Sequence, residues 1–232
     1  MPFYYYFDPL YFLFALPGIL IASFAQIKVK SNYSKYSKVL NSAGYTGADI
    51  AREILKSNGI TNVEVYRIKG NLTDNYNPKY NAIYLSDGVY GSNTVAAIGI
   101  AAHEAGHAVQ HAVGYSPIKV RSALVPVCNF GAGISPFLLI AGYIFNFTPL
   151  LYVALAVFSL SVIFQLVTLP VEFNASKRAL QAIRTIPSFE ESDVKGAKKV
   201  LSAAALTYVA ALMQSILMFL YYAVRILGRR RD

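Results

Sequence analysis

Four apolar stretches decide most of what this chain can fold into. Pro9 to Ile27, Ser122 to Phe145, Pro149 to Leu169 and Leu201 to Leu227 each approach or exceed the ~20 helical residues that cross a hydrocarbon core of about 30 Å. In lipid every backbone amide must find a partner within its own segment, so each stretch is expected as a helix. The prediction is an α-helical polytopic membrane protein, multi-pass in the cell membrane, with the bilayer as its constant partner. Composition agrees, since 55% of the residues are hydrophobic and only 14% charged, against roughly 25% charged in a soluble domain. Pro126 and Pro136, with Gly131, Gly133 and Gly142, make the second stretch the one expected to be broken or tilted.

The formal net charge is +9. No nucleic-acid-binding motif accompanies that charge, so it is read as basic loops facing anionic lipid rather than as a nucleic-acid surface. The single cysteine, Cys128, excludes an intramolecular disulfide framework and a Cys-rich metal cluster. At the N-terminus, MPFYYYFDP carries no Lys or Arg ahead of the apolar run. It lacks the basic start of a secretory signal, and residues 1–27 are therefore expected as a retained transmembrane anchor.

Residues 28–121 read as a small α+β domain. Thr46 is a fair N-cap with Asp49 in the first turn, Ile50, Ile54 and Leu55 share a face, and Gly59 can close the helix. Val63 to Ile68 alternates with the period of a strand, Asn81 to Leu85 is a second candidate, and Lys69 to Lys79 between them reads as turns. A long helix rich in Ala and Gly is expected over Thr94 to Gly114, where close packing against neighbours is possible.

That helix contains His103-Glu104-Ala105-Gly106-His107, the H-E-x-x-H pattern. Residues four apart share a helical face, so His103 and His107 can converge on one tetrahedral Zn2+ while Glu104 flanks its water as general base. An Ala-rich helix has no structural reason to bury three adjacent polar groups, each costly when unpaired. A catalytic zinc takes three protein ligands and keeps one position for water. His111 continues the spacing, but eight helical residues rise about 12 Å, too far for donors that share one ion. It is expected as an outer partner, a substrate contact or a packed histidine. Glu172 is the better third ligand, because it lies between Val171 and Phe173 where a bare carboxylate wants a cation; the competing reading is an interfacial Glu at a helix start after Pro170. Glu190, Glu191 and Asp193 are accounted for as helix-start acids.

Spans two and three lie between His107 and Glu172, and two crossings return the chain to one side. Lys28 to Arg121 holds 11 Lys and Arg and Val171 to Val200 holds 6, so both are expected in the cytoplasm. Arg225 and Arg229 to Arg231 then fall outside, against the same rule. The expected organisation is an anchor over 1–27, a cytoplasm-facing α+β domain over 28–121 with the zinc helix at 94–114, two transmembrane helices over 122–169, a cytoplasmic segment over 170–200 with the third ligand, and a last helix with a basic tail over 201–232.

Across nearly its whole length the chain resembles the bacterial neutral zinc metallopeptidases of the membrane. The marks are Thr46-Gly47 with Ala51-Arg52, Gly70 to Pro78, Leu85-Ser86, His103 to Gln110, and Leu169-Pro170-Val171-Glu172-Phe173-Asn174-Ala175-Ser176. The resemblance implies a compact gluzincin-like metalloprotease, with a zincin-like catalytic domain, one zinc per chain and Glu172 as third ligand. It also implies Asp or His where this chain has Asn75 and Asn77 and Asp where it has Asn174, which weakens any charged role there. The function expected is hydrolysis of peptide bonds in a peptide or membrane-protein substrate, through a zinc-bound water activated by Glu104. Tyr115, His111 and Arg178 are candidates to stabilise the oxyanion, and the strand at Asn81 to Leu85 could pair with an extended substrate. Two alternatives stand beside this: an intramembrane site-2-type protease, whose Asp ligand would have to come from Asp87-Gly88, and a non-catalytic membrane scaffold with a structural or absent zinc site.

Overall fold

The computed structural model describes residues 8–228, so the first seven residues of the anchor and Arg229 to Arg231 of the basic tail lie outside it. The described chain is mostly helical, with seven helices and one small sheet. Four helices are long and apolar enough to cross a membrane: α1 (Pro9–Tyr36), α5 (Ser116–Ile144), α6 (Thr148–Thr185) and α7 (Glu191–Gly228). They coincide with the four apolar stretches, but three of them extend well past those stretches. The second is not broken, since α5 runs through Pro126 and Pro136. Nor does α6 stop at Pro170. Beyond that proline Val171, Ala175, Ala179 and Ile183, spaced four apart, are all 1% exposed or less, and their burial holds the helix together where the missing N–H would favour a break.

The chain divides into two compact units. One comprises the described part of Met1–Ala25, Val120–Leu169 and Thr207–Asp232, and the other comprises Gln26–Lys119 and Pro170–Leu206. The first is built from apolar helix. Asp8, ahead of α1, accepts a hydrogen bond from the Tyr221 hydroxyl at 2.8 Å and pairs with Arg225 at 3.2 Å.

The second unit holds the sheet. Helix α2 (Gly47–Ser57) starts at a capping box in which the Thr46 hydroxyl accepts from the Asp49 N–H and the Asp49 carboxylate accepts from the Thr46 N–H. It ends where Gly59 takes a positive φ of 68°. Strands β1 (Glu64–Ile68), β2 (Asn75–Asn77) and β3 (Ala82–Ser86) lie in the order β1-β3-β2, with β1 parallel and β2 antiparallel to β3. Val65 and Tyr76 both face Ile83 in register. Strand β2 falls inside the segment read as turns, because three residues of Asn-Tyr-Asn carry too little alternation to register. Its approach is anchored by Asp74, whose carboxylate accepts from the Ser86 N–H at 2.7 Å and the Ser86 hydroxyl at 2.9 Å. Asp87-Gly88 opens the one-turn helix α3 (Asp87–Tyr90).

Helix α4 (Val95–Ala112) is the centre of this unit. Thr94 caps it by accepting from the Ala97 N–H, and almost every residue from Val95 to Gln110 is buried. Ile50, Ile54 and Leu55 of α2, Ile83 and Leu85 of β3, Ala179 and Ile183 of α6 and Val194 and Ala197 of α7 share one core with it. Small residues let the helices approach. A Cβ added at Gly106 would stand 2.7 Å from the Ala175 carbonyl oxygen, and one at Gly99 would stand 3.3 Å from the Ala197 Cβ.

Candidate metal centre

Two turns of α4 and one of α6 bring three donor groups together. His103 Nε2 lies 3.2 Å and His107 Nε2 3.7 Å from the same oxygen of Glu172, Oε2. The donor atoms of the three residues fall within 4.8 Å of one another, as one metal ion would require. The imidazoles meet edge to face, 4.7 Å between centroids. Glu172 is 2% exposed and lies inside the continuous helix α6, so a helix-start role does not account for it. A buried carboxylate facing two imidazoles is a donor set suited to a divalent ion with borderline preferences such as zinc.

The other ring nitrogens are held as well. His107 Nδ1 lies 3.0 Å from the Gln110 side-chain oxygen, and His103 Nδ1 lies 3.1 Å from the Ser176 hydroxyl. Gln110, completely buried, donates from its amide nitrogen to the Val171 carbonyl at 2.8 Å and to the Asn174 side-chain oxygen at 3.0 Å. That same Asn174 oxygen accepts from Arg178 Nε at 2.8 Å. Glu104, 9% exposed, accepts from the Tyr76 backbone N–H at 2.9 Å. Since Tyr76 stands on the free edge of β2, that edge faces the general-base candidate.

Electrostatics follow from the packing. Burial works to raise the Glu172 carboxyl, but hydrogen bonds and charge from His103 and His107 override it and hold the group well below the usual carboxylate range. Burial lowers His107, and its contacts with Glu172, Glu104 and Gln110 outweigh this and leave it raised. His111 is lowered, first by burial and then by Lys119 and His107.

His111 does not join the cluster. Its ring packs against Tyr76 with centroids 5.8 Å apart, and its Nε2 is buried without a hydrogen-bond partner among the described residues. Arg178, a candidate oxyanion donor, is turned to Asn174 instead. Strand β3 lies between β1 and β2, which removes it as a free edge for an extended substrate. Asp87 pairs with Arg67 at 2.7 Å and supplies nothing to the cluster, against the site-2-type alternative. Asp193 is occupied capping α7, accepting from the Ser42 N–H and the Glu190 N–H. Sequence reasoning passed over Tyr76 and the individual role of Gln110, and left Ser176 without one. A glutamine three residues past a candidate metal-ligand histidine on a buried helix was the available signal for Gln110.

Comparison with known proteins gives a consistent answer. A family profile described as "Putative neutral zinc metallopeptidase" matches residues 11–227. The chain is also similar to a Bacillus subtilis (strain 168) protein named "Putative membrane protease YugP", with 42% identity over 223 residues covering 96% of this chain and 99% of that protein. No solved structure matches.

Proposed function

Because the chain belongs to this neutral zinc metallopeptidase family, we propose that it is a membrane-embedded zinc metalloendopeptidase in which His103, His107 and Glu172 hold one zinc and Glu104 is the general base. The observation that carries the proposal is the convergence of two histidines from α4 and one glutamate from α6 within 4.8 Å, with a second carboxylate, Glu104, adjacent in sequence to His103 and outside that group. Three protein donors leave a tetrahedral ion one position for solvent, the arrangement of catalytic rather than structural zinc.

Zinc bound there supplies a Lewis acid that acidifies a water molecule and polarises the scissile carbonyl. Glu104 takes the proton from the attacking water and returns it to the departing amine nitrogen. The Tyr76 N–H holds one Glu104 oxygen, leaving the other for the water. An extended substrate runs along the free edge of β2, in place of the β3 pairing expected from sequence, and its carbonyl is thereby delivered beside Glu104. The second unit is the zincin-like catalytic domain. Both of its chain segments face the cytoplasm, and the substrates are peptides or membrane proteins.

The test is zinc per chain for the purified wild type, His103→Ala, Glu172→Ala and Glu104→Ala, alongside cleavage of an unfolded membrane-associated substrate. One zinc in the wild type, loss of zinc in both ligand variants and an inactive, zinc-loaded Glu104→Ala are expected. Unchanged zinc in Glu172→Ala would move the third ligand elsewhere, and a folded, zinc-free wild type would favour the scaffold alternative.

A further inference from the structure

We infer that Gln110 and Asn174, anchored by Arg178, form a buried amide relay that positions His107 for the metal and ties the α4 half of the site to the α6 half. The inference rests on the zinc reading of the site. An amide at zero exposure in an Ala-rich helix is costly unless its hydrogen-bonding capacity is used, and here both ends are used.

The direction of the relay is forced. The Val171 main-chain carbonyl can only accept, so the Gln110 amide nitrogen must face it. The amide nitrogen of Gln110 then also serves the Asn174 oxygen, which is fixed as an acceptor by the guanidinium of Arg178 on its other side. Only the Gln110 oxygen remains for His107, and it can take a proton but not give one. His107 Nδ1 must therefore carry hydrogen. In the neutral ring the lone pair falls on Nε2, the nitrogen that faces Glu172.

The relay also reaches across helices. Val171, whose carbonyl Gln110 holds, immediately precedes Glu172, and Asn174 and Arg178 stand on the turns that follow. One side chain of α4 thus fixes the ring of one ligand and the backbone beside another. Gln110, Asn174 and Arg178 are positioning residues, acting through His107 and the backbone beside Glu172.

The experiment uses the full chain in detergent. The zinc dissociation constant is measured by competition with a chromophoric chelator, and the melting temperature of the metal-free protein is measured in parallel. Variants are Gln110→Met, Asn174→Leu, Asn174→Asp and Arg178→Met. Loss of an outer partner of a metal ligand typically weakens binding by about 10–100-fold, and Gln110→Met should fall in that range. Asn174→Leu and Arg178→Met, which reach the relay from its outer end and do not depend on Gln110→Met folding, should weaken zinc by smaller factors. Asn174→Asp keeps an acceptor for both partners and should stay near wild type. Combining Gln110→Met with Asn174→Leu should weaken zinc no further than Gln110→Met alone. Lower melting temperatures with unchanged zinc affinity in every variant would overturn the relay and leave the zinc site standing. A folded wild type that binds no zinc would overturn the reading on which the relay rests.

Discussion

The two helices that meet at the candidate metal centre are built on opposite principles. Helix α4 carries two donors four residues apart, so its half of the site is set by helical periodicity alone. Helix α6 contributes a donor 69 residues from His103, and nothing local brings it there. Its arrival depends on close approach at Gly106 and Ala175, on the buried stripe from Val171 to Ile183 and on the Gln110 amide. A local half-site survives small changes in packing, whereas a tertiary half-site is lost to them.

Variants can break that contrast at either half. The largest effect is expected from Glu104→Gln, which keeps the shape and removes the base; peptidase turnover should fall by about 10²–10⁴-fold, with zinc content by metal analysis unchanged. Glu172→Ala should weaken zinc by more than the ~100-fold upper range for outer partners, measured by chelator competition, while far-UV circular dichroism stays that of the wild type. Gly106→Ala puts a methyl group against the Ala175 carbonyl. Overpacking of this kind costs about 1–3 kcal/mol, and zinc affinity should fall even though both histidines remain. If Gly106→Ala left zinc affinity unchanged, the tertiary half would be less demanding than the packing implies.

Thr46→Ala sharpens the contrast by acting away from both halves. It removes the α2 capping box and should cost about 1 kcal/mol in denaturant unfolding, without moving the zinc dissociation constant. The smallest effect concerns pH. His111 is held below its ordinary value of 6.5, so as pH falls past that value the unfolded chain takes the proton first and the folded state loses stability down to the lower folded value. His111→Phe keeps a ring against Tyr76 and removes the titration. The melting temperature of the metal-free variant should therefore fall less steeply below pH 6.5 than that of the wild type.

The sequence was most informative where a property repeats along the chain. Apolar runs located all four long helices, and the Thr46 cap, the face of Ile50, Ile54 and Leu55 and the strand at Val65 were local patterns that tertiary structure had no reason to override. Pro126, Pro136 and Pro170 misled, because local propensity argues for a break at positions where α5 and α6 both run on; beyond Pro170 the buried stripe from Val171 to Ile183 offsets the lost N–H. Strand β2 was too short to carry a period, yet it delivers the Tyr76 N–H to Glu104. His103, Glu104 and His107 were legible through spacing, and Glu172 through its improbable apolar neighbours. The partners Gln110, Ser176 and Tyr76 were not, since their roles exist only when α4, α6 and the sheet are together in space.

The most direct measurement is zinc K-edge X-ray absorption on the purified full chain, in wild type and His111→Phe. Two imidazole nitrogens at about 2.0–2.1 Å with carboxylate and solvent oxygens near 2.0–2.2 Å, identical in both proteins, are the predicted result. A third imidazole that disappears in His111→Phe would contradict the assignment of Glu172 and place the whole ligand set on α4.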